Sequence, residues 1–205
     1  MTYEIAIKSG GRERSFAVEA EPSRTVLDAL ETLRKDREPG LLYRHSCHHG
    51  SCGTCGAMIN GEPRLMCLTA LGDLDTGRIT LEPLAKETSI GDVAVWPGPL
   101  FETLPDTDYL RDSENGPGAR RLEACIECGI CAAACPAAKP FIGPAALAAA
   151  AVEMRKHPES ETAMGAIADA PDGADACERA FECSRRCPQD VAPGRKITEL
   201  LRRRR

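Results

Sequence analysis

The sequence predicts an α+β protein of two unlike halves, a strand-bearing N-terminal half and an all-helical C-terminal half, each organised around sulfur ligands. Three observations predict it. Short alternating stretches and turn residues dominate the N-terminal part, alanine-rich helical stretches dominate the C-terminal part, and eleven cysteines fall into three sets at metal-ligand spacings. Aromatic residues are only 4% of the chain, which leaves little material for large aromatic cores. Two small domains that draw folding free energy from bound metal need less of one.

Tyr3 to Lys8 alternates and reads as a strand, Gly10-Gly11 as a turn, and Arg14 to Glu19 as its hairpin partner. Ser23 or Thr25 caps a helix whose apolar face is Val26, Leu27, Leu30 and Leu33, and which stops before Pro39-Gly40. A cysteine loop follows, then short strands around Ala57–Ile59 and Ile79–Leu81. Two strands, a helix, a metal loop and further short strands predict a β-grasp ferredoxin domain over residues 1–95. Residues 96–119 are a connector rich in turn formers, and residues 120–205 form the helical domain. The helical reading starts at Arg121, with Leu122–Glu127 leading into the second cysteine set. It continues through an Ala-rich stretch, Pro144–His157, breaks at Pro171-Asp172-Gly173, and ends with Ile197–Leu201. Arg202–Arg205 reads as a solvated basic tail, with anionic lipid or an acidic partner as the sharper alternative.

Cys47, Cys52, Cys55 and Cys67 read C-x4-C-x2-C and then C-x11-C, the plant-type [2Fe–2S] spacing. Cys125, Cys128, Cys131 and Cys135 read C-x2-C-x2-C-x3-C-P, the bacterial two-cluster spacing. Cys177, Cys183 and Cys187 repeat that run with Ala180 in place of its second cysteine. In two-cluster ferredoxins the fourth cysteine of each run ligates the other cluster. Cys125, Cys128, Cys131 and Cys187 are then the ligands of a [4Fe–4S] cluster. Cys135, Cys177 and Cys183 remain as a three-thiolate set, for which [3Fe–4S] is the natural assignment. A labile [4Fe–4S] with water or another residue at its open corner is the competing reading. Zinc competes for the C-x2-C pairs, but zinc sites usually join two separated pairs. Glycines 50, 53 and 56 interleave with the first set, as a loop turning sharply around a flat cluster requires. His48 and His49 raise a Rieske centre, which four cysteines at plant-type spacing argue against. Both, with His45, read as partly exposed loop residues that tune the cluster or line a docking surface.

The remaining bounds are negative. No run approaches the roughly 18 apolar residues of a bilayer span, and the start carries neither a signal-peptide core nor a twin-arginine motif. No dinucleotide loop, P-loop or catalytic triad is present, so flavin or nicotinamide chemistry has to come from another subunit. With a net charge of −5, no nucleic-acid partner is expected.

The three-set order resembles the iron–sulfur subunit of succinate dehydrogenase and fumarate reductase. The match lies in RHSCHHGSCGTCGAMINGEPRLMC, CIECGICAAACP, KPFIGPAALAAA and CERAFECSRRCP, with the gap at Ala180 in particular. The resemblance implies a relay of single electrons through [2Fe–2S], [4Fe–4S] and [3Fe–4S] clusters. Its two ends would be a FAD-containing flavoprotein, where succinate or fumarate binds, and a quinone at membrane anchor subunits, with or without heme. It implies a cytoplasmic position, peripheral on the inner face of the cell membrane through those partners. The chain is short for the family, with a trimmed connector between the domains, and further departures lie at the quinone end. Between Cys135-Pro136 and FIGP only Ala137, Ala138, Lys139 and Pro140 stand where family members commonly carry a tryptophan-containing insertion. Glu178 stands where many have a histidine. Pro136, Ala138, Lys139 and Ala180 are the expected quinone contacts. These departures also favour an alternative, the same relay in a soluble complex with another flavoprotein or donor, such as a thiol-dependent fumarate reductase.

Overall fold

The structure, a computed structural model, describes residues 1–96, 124–138 and 140–203. They fall into two compact units, one of 1–96 with 126–133 and one of 124–125 with the described part of 134–203.

The first unit is a β-grasp. Strands β1 (Thr2–Ser9), β2 (Arg12–Glu19), β3 (Gly56–Ile59), β4 (Glu62–Leu65) and β5 (Arg78–Glu82) form one sheet in the order β2-β1-β5-β3-β4. β1 pairs antiparallel with β2 (Ile5 opposite Phe16) and parallel with β5 (Ile5 opposite Ile79). β3 pairs antiparallel with both β4 and β5. Both predicted hairpin strands and both predicted short strands are present, each extended by one to two residues at an end. Residues Tyr3, Ile5 and Ile7 alternate into the core, as period-2 patterning requires. Helix α1 (Val26–Asp36) covers them with Val26, Leu27, Leu30 and Leu33, all buried. Thr25, one of the two expected caps, closes a capping box. Its hydroxyl accepts from the Asp28 N–H at 3.1 Å, and the Asp28 carboxylate accepts from the Thr25 N–H at 2.9 Å. Thr25→Ala should therefore cost about 1 kcal/mol, seen as a thermal midpoint lower by roughly 2–4 °C in the cluster-loaded chain.

Three parts of this unit were not anticipated. β4 pairs along the free edge of β3, where the missing N–H of Pro63 is tolerated. A small ribbon, β6 (Ser89–Gly91) with β7 (Ala94–Val95), is pinned through Asp92, whose carboxylate accepts from the Leu42 N–H and pairs with Arg14 at 2.6 Å. The segment 126–133, with the one-turn helix α2 (Ile130–Ala133), also packs here. Ile130 is buried in the same core, and Ile126 and Cys128 lie against it.

In the second unit α3 (Pro144–Lys156) packs against α4 (Glu161–Asp169) and α6 (Pro193–Arg202), while α5 (Glu182–Arg185) adjoins α6. Pro144 occupies the first turn of α3, where its missing N–H costs nothing, and Arg155 and Lys156 lie in the last turn, where cations suit the helix dipole. Alanines 145, 146 and 148–150 are all buried, so α3 is enclosed almost all round. Leu147 of α3 meets Ile197 and Leu200 of α6 in one core.

Two expectations are corrected. The described part of Leu122–Glu127 is not helical, because Ala124 and Glu127 adopt left-handed backbone (φ 59° and 55°) that a right-handed helix excludes. The basic end is not wholly solvated. Arg203 reaches back to α4, where it donates to the Gly165 carbonyl at 3.2 Å and pairs with Asp169 at 2.9 Å. Arg204, Arg205 and nearly all of the connector lie outside the described residues. Among the described residues no helix is long and apolar enough to cross a membrane.

Candidate metal centres

Cys47, Cys52 and Cys55 lie in the loop that joins α1 to β3. Cys55 leads directly into β3, and Cys67 sits in a 3-10 turn, Met66–Leu68, directly after β4. A Met66 N–H bond to the Cys55 carbonyl at 3.0 Å ties the two together, leaving their sulfurs 3.3 Å apart and both residues buried. Cys47 and Cys52, by contrast, are part-exposed and stand in a loop whose backbone N–H groups point at sulfur. The Ser51 N–H lies 3.2 Å from Cys47 Sγ, the His49 N–H 3.5 Å from it, and the Cys47 N–H 3.5 Å from Cys52 Sγ. Thr54 Oγ1 adds a 3.2 Å contact to Cys52 Sγ.

These surroundings push Cys47 and Cys55 in opposite directions. Hydrogen bonds from the Ser51 side chain and then the His49 backbone pull the Cys47 thiol down to about 5, while burial pushes Cys55 up to about 12. Cys55 and Cys67 make a buried sulfur pair, in which burial keeps the Cys55 thiol protonated unless a cation balances its thiolate. Their separation is close to the roughly 3.8 Å that two sulfurs span across a tetrahedral metal at about 2.3 Å. The donor set therefore fits a sulfur-ligated iron site: all four groups are thiols, amide N–H groups face the exposed pair, and the buried pair lies sulfur to sulfur. His45, His48 and His49 are at least partly exposed, as anticipated.

The loop needs glycine most at Gly53. Its φ is +71°, and a Cβ there would meet the Ile126 carbonyl oxygen at 2.1 Å. Segment 126–133 thus lies directly on the [2Fe–2S] loop within the first unit. It carries Cys128 and, in α2, Cys131.

In the second unit, Cys177 follows a 3-10 turn, Ala174–Ala176, Cys183 lies in α5, and Cys187 follows it. Burial raises the Cys183 thiol, and the charges of Cys135 and Cys177 raise it further, so both lie within electrostatic range of Cys183 in this unit. Cys187 Sγ accepts from the Val191 N–H at 3.4 Å. Cys125 packs against the alanine core of α3. No disulfide joins any of the eleven cysteines, all of which lie among the described residues. Ala180 is exposed, and its carbonyl is held by Arg185 at 2.8 Å.

Of the expected quinone contacts, Pro136, Ala138 and Ala180 are exposed in this unit and Lys139 lies outside the described residues. Glu178, in the histidine position, accepts from the Ala138 N–H at 3.2 Å and so ties the third cysteine set to the stretch after Cys135. Sequence reasoning missed this link, the sulfur contacts of Ser51 and Thr54, and a contact among Glu31, His45 and His48. The hydroxyl residues interleaved with the first set were the available signal for the second.

Residues 7–102 match the 2Fe-2S iron-sulfur cluster binding domain family, and residues 121–191 match the 4Fe-4S dicluster domain family. The fumarate reductase iron-sulfur subunit of Mycobacterium tuberculosis is 31% identical over 95% of this chain and 87% of its own length. That of Wolinella succinogenes is 30% identical over 93% and 88%. In fold, a chain of the Mycobacterium smegmatis Sdh1 complex in the apo form superposes with a TM-score of 0.79 at 24% identity, covering 98% of this chain and 95% of that one. The order of the three cysteine sets and the relatives that align along nearly the whole chain lead to one conclusion: this chain belongs to the family of electron-transferring iron–sulfur subunits of fumarate reductases and succinate dehydrogenases.

Proposed function

We propose that this subunit relays single electrons between a FAD-containing flavoprotein that interconverts succinate and fumarate and a quinone at a membrane anchor. The observation that carries the reading is the incomplete third set: Cys177 and Cys183 stand in one short stretch of the second unit with Cys135 close enough for its charge to act on Cys183, and alanine stands where a fourth thiol would. Clusters bound in such sites supply one-electron carriers. The chain's own residues hold them: Cys47, Cys52, Cys55 and Cys67 a [2Fe–2S], Cys125, Cys128, Cys131 and Cys187 a [4Fe–4S], and Cys135, Cys177 and Cys183 a [3Fe–4S]. Backbone N–H groups at Cys47, Cys52 and Cys187 offset thiolate charge. All four [2Fe–2S] cysteines lie in the first unit, and Cys135, Cys177 and Cys183 all lie in the second. Membrane attachment on the cytoplasmic face comes through the partner subunits, because no described helix spans a bilayer.

A second reading is favoured by Glu178. A carboxylate engaged with the Ala138 N–H occupies the place of a quinone-side histidine, which suits a soluble complex with a different donor or acceptor. Anaerobic affinity purification of the tagged chain from its native cells distinguishes the two. Covalent flavin on one co-purifying subunit, together with quinone- or heme-bearing membrane subunits, is the expected result. A soluble two-subunit flavoprotein complex without anchors would select the second reading, and no flavoprotein at all would overturn both.

A further inference from the structure

Glu31 projects from α1 toward two histidines of the first cysteine loop, and three donor atoms converge. His45 Nδ1 and His48 Nε2 are 3.2 Å apart, and Glu31 Oε1 lies 3.5 Å from the first and 3.4 Å from the second. We propose that Glu31, His45 and His48 form a binding site for a divalent transition-metal ion of tetrahedral preference, such as Zn2+, separate from the cysteine ligands.

The triangle has the right size. A tetrahedral ion with bonds of about 2.0–2.1 Å sets its donors about 3.3–3.4 Å apart. An octahedral Mg2+ at about 2.1 Å sets neighbouring donors about 3.0 Å apart and prefers oxygen. Two imidazoles and one carboxylate are a donor set of borderline softness that selects zinc-like ions over magnesium or calcium. Hydrogen bonding accounts for one side of the triangle, His45 Nδ1 to His48 Nε2, but not for the two sides to Glu31. The carboxylate oxygen stands beyond the roughly 2.7–2.9 Å of a charge-assisted bond to either ring.

The donors are also pre-positioned. The His45 ring stacks on Tyr43, with centroids 5.3 Å apart, and Tyr43 lies beneath the Arg34 guanidinium at 4.8 Å. Glu31 and Arg34 share one helix. His48 is held at φ 61° in the turn that follows Cys47. The Arg34 charge opposes a nearby cation, so moderate affinity is expected. His48 is exposed, which leaves a fourth coordination position to water.

The test uses the full chain, purified anaerobically with its clusters, stripped of loosely held metal and titrated with Zn2+. One zinc per chain should be retained with iron and sulfide unchanged, and Mg2+ in excess should not displace it. His48→Asn, which suits the left-handed backbone, and Glu31→Gln should each weaken retention at least tenfold. His49→Ala should not, since the His49 ring instead contacts Ser51 Oγ at 3.0 Å. Ni2+ or Co2+ in the same position should broaden the EPR signal of the dithionite-reduced [2Fe–2S] cluster, and His48→Asn should abolish that broadening. Zinc uptake matched by iron loss, or retention unaltered in Glu31→Gln, overturns the proposal. Should His48→Asn lose its cluster, Glu31→Gln decides alone.

Discussion

Ala180→Cys should abolish the near-isotropic EPR signal of an oxidised [3Fe–4S] centre, add one iron per chain and lower the potential of that centre. A fourth thiolate completes the cubane, and its negative charge favours the oxidised state. The site accommodates the change. Ala180 is exposed between two residues in left-handed backbone, Arg179 and Phe181, and Arg185 holds its carbonyl in place. A cysteine there enlarges a surface side chain without filling any core space. EPR of the oxidised protein, iron analysis and a redox titration read the three effects. An unchanged three-iron signal would show that Cys135, Cys177 and Cys183 do not share one cluster, and with it would go the sorting of eleven cysteines into four, four and three.

The second large effect is expected at Gly53. Alanine there places Cβ 2.1 Å from the Ile126 carbonyl oxygen and 3.2 Å from the Cys128 Cα, both backbone atoms that cannot rotate away. Left-handed backbone adds about 1–2 kcal/mol and overpacking about 1–3 kcal/mol. Gly53→Ala should therefore lose about 3 kcal/mol or more, lowering the thermal midpoint by roughly 10 °C and reducing [2Fe–2S] occupancy. Gly61→Ala is the comparison. Gly61 has φ +78° but no atom within 4 Å of its Cβ position, so only the backbone cost applies. If the two variants lost the same stability, close approach would not be why glycine stands at position 53.

Much of this was legible from local chemistry. The hairpin β1–β2, helix α1 with its Thr25 cap, and α3 follow from patterns confined to neighbouring residues, as do the cysteine spacings. β4 had a signal in Asn60-Gly61, a pair that adopts left-handed backbone at the tip of the β3–β4 hairpin. Pro63 masked it, because proline is excluded from a central strand and β4 is an edge. The docking of 126–133 onto the first core was not readable. It depends on Ile130 finding the same pocket as residues far earlier in the chain, and cysteine spacing says nothing of which core a ligand-bearing turn joins. The same holds for Glu31, a helix residue whose meeting with His45 and His48 arises only once α1 lies against the loop.

The alanines of α3 bear on how well distances are kept. Alanine has no side-chain rotamers to freeze, so this helix packs without that entropic penalty and without alternative side-chain arrangements to exchange between. Its neighbours α4 and α6 rest on a surface of backbone and alanine methyl groups keyed by a few larger side chains such as Leu147, close to the turns that present Cys177, Cys183 and Cys187. Tunnelling between redox centres falls off exponentially with separation, so small drifts in spacing become large changes in rate. A frame with few side chains to repack holds that rate steadier through thermal motion, and replacing its methyl groups with longer side chains would admit noise into the timing of each electron's passage.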